Sequence, residues 1–387
     1  MKDPFLRILT AFLAILWLSA SPATARAPIP PQEVETIPHV IMVDLGSGQV
    51  LYSKDADSPF LPASMTKVMT AFVAFEEIDA GRLSLDRVIK VRPETSRLWG
   101  GRGTTMFLEP GETVRVRDLL LGILTASAND ASIALAEGVV GSERAYTDMM
   151  NHAAGQLGMR ASHFNTVNGW PDEGQTFVSA RDLTILAAAM IRKHPGLYHQ
   201  FAGHKVFLWK EYILRSRNPI VGKVAGADGI KTGYTREAGY NFLGSAERDG
   251  RRIIFVVGGA SRPYERNAAS KALLEWGYTA WRNRPLFGAG EPVASIAVQG
   301  GNAREIELVN SGPIYASLPA DSTAPVSLRI EYSGPIQAPI TKGQQVAELI
   351  VDVEGLPQGR VPLYSNREVR RATPMDRLLN GFMKLFS

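Results

Sequence analysis

The alternation of hydrophobic and polar residues predicts a domain in which strands at both ends enclose a helix-rich middle. Two short apolar runs, over residues 39–45 and 49–52, flank Gly46-Ser47-Gly48, a pattern typical of a strand, a tight turn and a second strand. Residues 64–77 are apolar nearly all round, which indicates a buried helix.

Further helical patterns follow, and strand-like runs return before residue 260. Helices are predicted over residues 116–124, 130–137, 143–157, 180–193 and 264–281, and strands over residues 229–232, 240–246 and 252–258. Because the strands come from both ends of this stretch, we expect them to form one sheet. The sequence therefore predicts a mixed α/β (α+β) domain over residues 33–285.

A β-rich segment follows a change of composition near Arg284-Pro285. Residues 286–293 carry three Gly or Pro breaks, as a linker would. Short β-type runs then occur over residues 294–298, 305–308, 326–332 and 346–353, with Gly, Pro and Asn between them. We expect a small all-β sandwich domain over residues 291–365.

The last residues, 367–387, predict an amphipathic helix. Apolar residues recur there at helical spacing: Met375, Leu378, Leu379, Phe382, Met383 and Phe386. Arg367, Arg370 and Arg371 lie just upstream, and this charge beside an apolar stripe favours an in-plane anchor on anionic lipid. The alternative is a terminal helix that docks on its own protein.

The first 25 residues predict a secretory signal peptide. Lys2 and Arg7 precede an apolar run over residues 8–18, and Ala23-Thr24-Ala25 supplies a small-residue cleavage pattern. The apolar run is short for a membrane span, although an uncleaved anchor is the alternative. We therefore expect an exported protein.

Composition narrows the classes of function. The 387 residues are 45% hydrophobic and 21% charged, which indicates a globular protein of two or three units. The net charge is only +4 and no Lys/Arg run is present, so a nucleic-acid partner is not expected. Cysteine is absent, which excludes cysteine nucleophiles and thiolate metal sites. No H-E-x-x-H motif occurs, and we expect neither a metal nor a cofactor.

A serine–lysine pair is the strongest candidate for chemistry. The chain has no G-x-S-x-G elbow and no Walker loop, and Ser64-Met65-Thr66-Lys67 is its only S-x-x-K. Residues three apart share a helical face, so the Lys67 amine can reach the Ser64 hydroxyl. Burial and a second cation would lower the pKa of Lys67 and make it a base. The alternative is Ser64 as a simple helix cap with Lys67 solvated.

Two further motifs favour the catalytic interpretation. Ser127-Ala128-Asn129 lies in a break between two predicted helices, where a hydroxyl and an amide can project into a cleft. Lys231-Thr232-Gly233 lies on a strand-like run, and Lys231, Thr232 and Thr235 can hold a carboxylate. A competing S-x-N at Ser216-Arg217-Asn218 is flanked by charge and proline, which indicates a surface turn. S-x-x-K, S-x-N and K-T-G in this order form a strong combined signal for a catalytic serine site.

With these motifs, the chain resembles the low-molecular-mass penicillin-binding proteins, specifically the serine-type D-alanyl-D-alanine carboxypeptidases (peptidase family S11-like). The similarity includes residues 163–169, 179–182 and 231–241 as well as the layout of signal peptide, catalytic domain, β-rich stalk and terminal helix. It implies a penicillin-binding/β-lactamase-like transpeptidase fold. It also implies a place at the periplasmic face of the cytoplasmic membrane in a bacterial cell envelope, where the protein would be peripherally anchored.

The resemblance also implies roles for individual residues. Ser64 would be the acylated nucleophile, Lys67 its base and Ser127 the proton shuttle to the leaving amine. Asn129 would contact the substrate and Lys231 would read its terminal carboxylate. The substrates would be peptidoglycan pentapeptide stems, and β-lactam antibiotics would acylate the enzyme.

Some features leave alternatives open. Tyr234 follows K-T-G where related enzymes often carry histidine, so local substrate contacts and the deacylation rate are not fixed by the resemblance. His163 and Asp182 match positions near the family's site, and structural support is the favoured role for both. The rival functions are a class A-like β-lactamase, whose E-x-x-L-N segment is missing around Asp172 and Glu173, and a catalytically silent peptidoglycan-binding scaffold.

Overall fold

The computed structural model describes residues 24–376, and a five-stranded antiparallel sheet forms its centre. The strands are β1 (His39–Asp44), β2 (Val50–Lys54), β7 (Ala227–Thr235), β8 (Gly239–Arg248) and β9 (Arg251–Ala260). They lie in the order β2-β1-β9-β8-β7, so β1 from the start of the domain pairs with β9 from its end. The prediction of one sheet built from both ends is confirmed.

Eight α-helices and two small hairpins complete the described part of this domain. The helices are α1 (Lys67–Asp79), α2 (Pro93–Trp99), α3 (Val116–Leu121), α4 (Asn129–Val140), α5 (Glu143–Leu157), α6 (Ala180–Lys193), α7 (Pro195–Phe201) and α8 (Pro263–Thr279). The hairpins are β3 (Val88–Lys90) with β4 (Thr113–Arg115), and β5 (Val206–Trp209) with β6 (Tyr212–Arg215). The bounds of α5 and α6 agree with the prediction.

Two helices of the structure differ in form from those that the sequence predicts. The helix predicted from residue 64 becomes α-helical only at Lys67, because Ala63–Thr66 form a 3₁₀ turn that leads into it. The helix predicted over residues 116–124 ends at Leu121 and continues as a π-helical turn over Gly122–Ala126. Both irregular turns carry residues of the site described below.

Strand β9 shows how the central sheet is covered on both faces. Successive side chains of a strand point to opposite faces. Ile254 and Val256 pack into the core that contains α1 and α6, whereas Phe255 and Val257 pack into a second core that contains α8. All four side chains are fully buried, so the sheet lies between two helical layers.

The C-terminal part is a β domain. Its strands are β10 (Trp281–Phe287), β11 (Ala294–Gln299), β12 (Glu305–Val309), β13 (Ile314–Pro319), β14 (Val326–Glu331), β15 (Ile336–Gln337), β16 (Gln345–Val353) and β17 (Gly359–Ser365). Six of them form a sheet in the order β14-β16-β17-β12-β11-β15, and β10 pairs with β13. Side chains from both sheets share one core, as expected for a sandwich. Strand β10 begins before the predicted linker, directly after α8.

The turn between β1 and β2 joins the two domains. Ser47 Oγ lies 2.8 Å from Ser317 Oγ, and Gln49 Oε1 accepts a 2.7 Å hydrogen bond from the Ser317 N–H. Gly48 has φ +65°, and a Cβ there would lie 2.1 Å from the Arg360 carbonyl oxygen. Glycine is therefore required where this turn meets the β domain.

The two ends of the described chain touch the β domain. The Ala25 N–H donates to the Glu354 carbonyl oxygen over 2.8 Å, and Val369 is fully buried in the β-domain core. Residues 367–372, predicted as the start of the terminal helix, instead run through isolated bridges at Val369 and Arg371, and helical backbone begins at residue 374. The rest of the predicted helix, from residue 377, and residues 1–23 of the predicted signal peptide lie outside the described residues. No helix of the described chain has the length and apolar character to cross a membrane.

Candidate active site

Ser64 and Lys67 meet at the junction of the 3₁₀ turn and α1. The Lys67 side chain is fully buried, and its Nζ donates to Ser64 Oγ over 3.0 Å. Two further acceptors contact the same nitrogen: Asn129 Oδ1 at 2.8 Å and the Asn168 carbonyl oxygen at 2.6 Å. Lys67 Nζ therefore has three hydrogen-bond partners, and the Ser64 hydroxyl is one of them.

The surroundings of Lys67 favour its neutral form. Burial is the largest effect that holds its pKa well below the ordinary value, and the nearby Lys231 charge lowers the pKa further, against an opposing effect of Asp130. A neutral amine has two N–H groups and one lone pair. In this neutral form, the Asn129 and Asn168 oxygens, which can only accept, take the two N–H groups. The lone pair then replaces the N–H that a charged Lys67 donates to Ser64 Oγ, and it can accept the hydroxyl proton.

Ser127 and Asn129 lie between the π-helical turn and α4. Ser127 has φ +70°, a left-handed conformation that is uncommon outside glycine, and it ends the turn at the wall of the cavity. Asn129 is almost fully buried, and its Nδ2 donates to the Arg102 carbonyl oxygen while its Oδ1 faces Lys67. Asn129 thus holds the Lys67 amine in place and also borders the cavity.

Lys231 lies on β7 beside the same cavity. Its side chain is buried, and burial followed by the charges of Arg217 and Arg266 lowers its pKa to about 7. Gly233 allows β7 to approach the serine turn, since a Cβ there would lie 2.3 Å from the Pro62 carbonyl oxygen. The strand is thereby brought alongside the nucleophile.

Nearly all of the predicted site residues line one cavity of about 630 Å³. It is lined by Ser64, Ser127, Asn129, Lys231, Thr232 and Thr235, and Lys67 lies beneath Ser64. The Ser216-Arg217-Asn218 segment, predicted as a surface turn, also lines this cavity. That interpretation was incomplete, because a turn signal in the sequence does not show which surface the turn borders.

The cavity is positively charged on one side. Lys231, Arg217 and Arg266 all line it, and among the described lining residues none is an aspartate or a glutamate. Such a wall suits an anionic group of the ligand, and the terminal carboxylate of a peptide is one such group. Arg217 and Arg266 were not selected from the sequence, because nothing local distinguishes them from other surface arginines.

Asp130 is a positioning residue that the sequence analysis did not identify. Its buried carboxylate accepts the N–H groups of Met106, Leu108 and Ala131, and burial raises its pKa. The Asn129 N–H, next in the chain, donates to the Thr104 carbonyl oxygen. These contacts hold the segment that begins at Thr104, a lining residue of the cavity, against the start of α4.

His163 and Asp182 lie outside the cavity lining. His163 Nδ1 bonds the Gln175 carbonyl oxygen at 2.8 Å, and the Asp182 carboxylate accepts from the Ala161 N–H and the Ser162 hydroxyl. These contacts connect loops and are consistent with the favoured structural role. In residues 24–376 no cluster of three or more His, Asp and Glu side chains suits a metal ion.

Comparison with known proteins agrees with this geometry. A family model described as D-alanyl-D-alanine carboxypeptidase matches residues 25–262, and one described as penicillin-binding protein 5, C-terminal domain, matches residues 281–371. The D-alanyl-D-alanine carboxypeptidase DacF of Bacillus subtilis is 32% identical over 338 residues, which cover 86% of this chain and 85% of that protein.

Two solved structures are similar along the chain. The crystal structure of penicillin-binding protein 5 from Haemophilus influenzae has 29% identity and a TM-score of 0.71, and the match covers 89% of this chain and all of that one. Penicillin-binding protein D2 of Listeria monocytogenes, solved in an ampicillin-bound form, has 30% identity and a TM-score of 0.57 over 63% of this chain and 98% of that one. The chain therefore belongs to the D-alanyl-D-alanine carboxypeptidase family of penicillin-binding proteins.

Proposed function

We propose that the chain uses Ser64 as the nucleophile of a serine-type D-alanyl-D-alanine carboxypeptidase and removes the terminal D-alanine from peptidoglycan pentapeptide stems. The main support is the 3.0 Å contact between Lys67 Nζ and Ser64 Oγ, with a buried lysine whose pKa is strongly lowered. The contact lies at a cavity with a cationic wall, which suits a substrate that ends in a carboxylate.

Acylation begins when neutral Lys67 takes the Ser64 proton. Ser64 Oγ attacks the carbonyl carbon between the two D-alanines, and backbone N–H groups, including that of Ser64, stabilise the oxyanion. The C–N bond breaks as the Ser127 hydroxyl gives its proton to the leaving amine, and Ser127 recovers a proton from the Lys67 ammonium. The products are an ester on Ser64 and free D-alanine.

Deacylation repeats the proton transfers with water as the nucleophile. Water gives a proton to Lys67 and attacks the ester carbonyl, and the Ser64 oxygen is then reprotonated. β-Lactams carry a carboxylate that resembles the terminal carboxylate of the substrate, and they also contain a reactive amide. They would therefore acylate Ser64 and remain bound as slowly hydrolysed esters. A β-lactamase needs a fast deacylating base, and neither Asp172 nor Glu173 lines the catalytic cavity.

Two assays separate the proposed function from its rivals. A purified pentapeptide stem should give a tetrapeptide and one equivalent of D-alanine, whereas a silent scaffold would bind the peptide without cleaving it. Nitrocefin should acylate the protein stoichiometrically with slow release. Rapid nitrocefin turnover without D-alanine release would establish the β-lactamase function instead.

Lys231→Ala should weaken capture of a peptide with a free terminal carboxylate by about 10-fold or more, and should affect the amidated peptide much less. Because the pKa of Lys231 is about 7, its charge is lost as pH rises through that value. The wild-type preference for carboxylate over amide should therefore decline between about pH 6 and 8, with Arg217 and Arg266 keeping part of it. The preference is measured as the ratio of kcat/KM for the two peptides. An equal loss of kcat/KM on both peptides in Lys231→Ala would contradict the role of Lys231 in binding the carboxylate.

We further propose that the protein is exported and attached to the cytoplasmic membrane by its terminal amphipathic segment. Deleting residues 375–387 should release the protein from membranes and leave D-alanine release from a small soluble peptide nearly unchanged. Each large apolar side chain contributes up to about 1.5–3 kcal/mol when fully buried, and partial insertion realises a fraction of this.

Membrane fractionation tests this attachment. High salt alone should release little of the full-length protein, since salt screens only the Arg and Lys contribution. A truncated protein that remains on the membrane would indicate an N-terminal anchor. Complete release of the full-length protein by salt would indicate purely electrostatic attachment.

A further inference from the structure

Strand β7, which carries Lys231, has one irregularity in its pairing with β8. Ala227 and Gly229 pair with two adjacent residues of β8, so Asp228 between them is the extra residue of a β-bulge. From Gly229 to the end of β7 the pairing runs without a further shift. The bulge therefore lies three residues before Lys231 and sets the register of the strand segment that borders the catalytic cavity.

The register decides on which face of the sheet Lys231 lies. Lys231 lies opposite Leu243, whose side chain packs into the core that contains α1 and α6. Thr232 lies opposite Phe242, which packs into the core that contains α8. Neighbouring residues of a strand point to opposite faces, so a shift of one residue would exchange these two positions. Lys231 would then leave the face of the sheet on which α1 and its preceding Ser64 lie.

The Asp228 carboxylate is held by groups from two other elements. Its Oδ1 accepts a 3.0 Å hydrogen bond from the Tyr198 hydroxyl on α7, and its Oδ2 accepts a 2.6 Å hydrogen bond from Arg252 Nη1 on β9. The same Nη1 also donates to Ser245 Oγ on β8, at 2.8 Å. The bulged residue is thus tied both to a helix and to the neighbouring strands of the sheet.

The two donors, Tyr198 and Arg252, are themselves buried and closely packed. The guanidinium carbon of Arg252 lies 5.6 Å from the centroid of the Tyr198 ring, within the range of a cation–π contact. Burial is the largest effect that raises the pKa of Tyr198, so its hydroxyl keeps its proton and can donate. A Cβ on Gly229 would lie 2.6 Å from the Tyr198 hydroxyl oxygen, which shows how closely β7 approaches this group. The carboxylate of the bulge is therefore held in one place.

We propose that Asp228, held between Tyr198 and Arg252, is a positioning residue that fixes the bulge in β7 and so presents Lys231 to the terminal carboxylate of the peptide. The proposal rests on the carboxypeptidase function proposed above and names a residue on which its selectivity depends. Asp228 is not among the described lining residues of the catalytic cavity, so it acts through the strand. Because a misplacement of about 1 Å can cost about 100-fold in rate, a small shift of β7 is enough to weaken the selectivity.

The test uses two D-Ala-D-Ala peptides that differ only in a free or an amidated C-terminus, and it takes the ratio of their kcat/KM values as the selectivity. Asp228→Ala should lower this ratio by about 3- to 10-fold, as expected for residues coupled through one network. In a Lys231→Ala background, Asp228→Ala should produce no further fall in the ratio, because Asp228 acts through Lys231. A general loss of stability would lower kcat/KM for both peptides and leave the ratio unchanged.

Two further variants complete the test. Tyr198→Phe removes one of the two hydrogen bonds to Asp228 and keeps the ring, so it should lower the ratio by about 2-fold even if Asp228→Ala does not fold. Glu247→Gln is the matched control, because Glu247 on β8 is an exposed carboxylate that bonds the same Arg252 guanidinium but is not part of β7. The control should keep the wild-type ratio.

The outcomes distinguish the positioning role from the proposed function. A ratio that is unchanged in the folded Asp228→Ala or Tyr198→Phe variant, a further fall in the Lys231→Ala background, or an equal fall in Glu247→Gln would overturn the positioning role. Any of these results leaves the carboxypeptidase function intact, whereas absence of D-alanine release from both peptides by the wild-type protein would refute the function itself.

Discussion

Ser64→Ala is expected to abolish covalent labelling by fluorescent penicillin, with a loss of acylation of about 10³-fold or more. No other serine in the described chain is hydrogen-bonded to a lysine amine, so no second nucleophile is activated. The Ser64 hydroxyl bonds Lys67 alone in the described chain, and its removal leaves no large void. The folded protein should therefore remain, which thermal unfolding checks.

Ser216→Ala is the matched control for this variant. Ser216 begins the competing S-x-N, lines the same cavity and bonds the Asn218 N–H with its hydroxyl, without a lysine partner. We expect it to remain labelled. Labelling of the Ser64 variant at the wild-type rate, or loss of labelling in the Ser216 variant alone, would overturn the assignment.

Lys67→Ala is expected to remove acylation almost as completely, by about 10²- to 10⁴-fold, because general-base catalysis is lost. The wild-type acylation rate should rise with pH as Lys67 loses its proton, since only the neutral amine accepts the Ser64 proton. The alanine variant should lose this limb of the pH profile. Stopped-flow acylation by a chromogenic β-lactam over a range of pH measures both effects.

Lys67→Arg distinguishes a base from a positive charge. Arginine keeps the charge near Ser64 but does not deprotonate in proteins, so it should not restore acylation. Recovery of the wild-type rate with arginine would show that Lys67 acts by charge and not as a base. An unchanged pH profile in the alanine variant would contradict the assignment in the same way.

The parts of the fold that the sequence predicted have local signals. The start of α5 is marked by Ser142, whose hydroxyl accepts the Ala145 N–H, and its end by Gly158 in a left-handed conformation. Ser179 caps α6 in the same way. Such caps depend on residues only a few positions apart, so the local sequence itself carries the bounds of both helices.

Hairpin β5–β6 was missed because its signals are weak. Its two-residue turn is Lys210-Glu211, with no Gly or Asn, although Lys210 has φ +51°. Leu208 and Ile213 are paired across the hairpin and both are exposed, so the usual alternation of apolar and polar residues is lost. Its contact with the π-helical turn comes from tertiary structure, which no local pattern contains.

The site shows the same division between local and long-range information. The motifs identified Ser64, Lys67 and Lys231 because spacing along a helix or strand predicts which groups meet. Asn168 escaped notice because its main-chain carbonyl, not its side chain, contacts Lys67 from 101 residues away. The position of Arg217 at the cationic wall likewise depends on how a distant turn packs beside β7.

The most direct test of the central claim, an acyl-enzyme on Ser64 activated by Lys67, is to locate the acyl group. The protein is quenched in acid during turnover of a D-Ala-D-Ala peptide, and in parallel after reaction with benzylpenicillin, and the digests are mapped by mass spectrometry. We predict that both acyl groups are found on the peptide that contains Ser64, and that neither forms in Lys67→Ala. An acyl group on Ser127 or Ser216, or peptide turnover without any covalent adduct on Ser64, would contradict the mechanism.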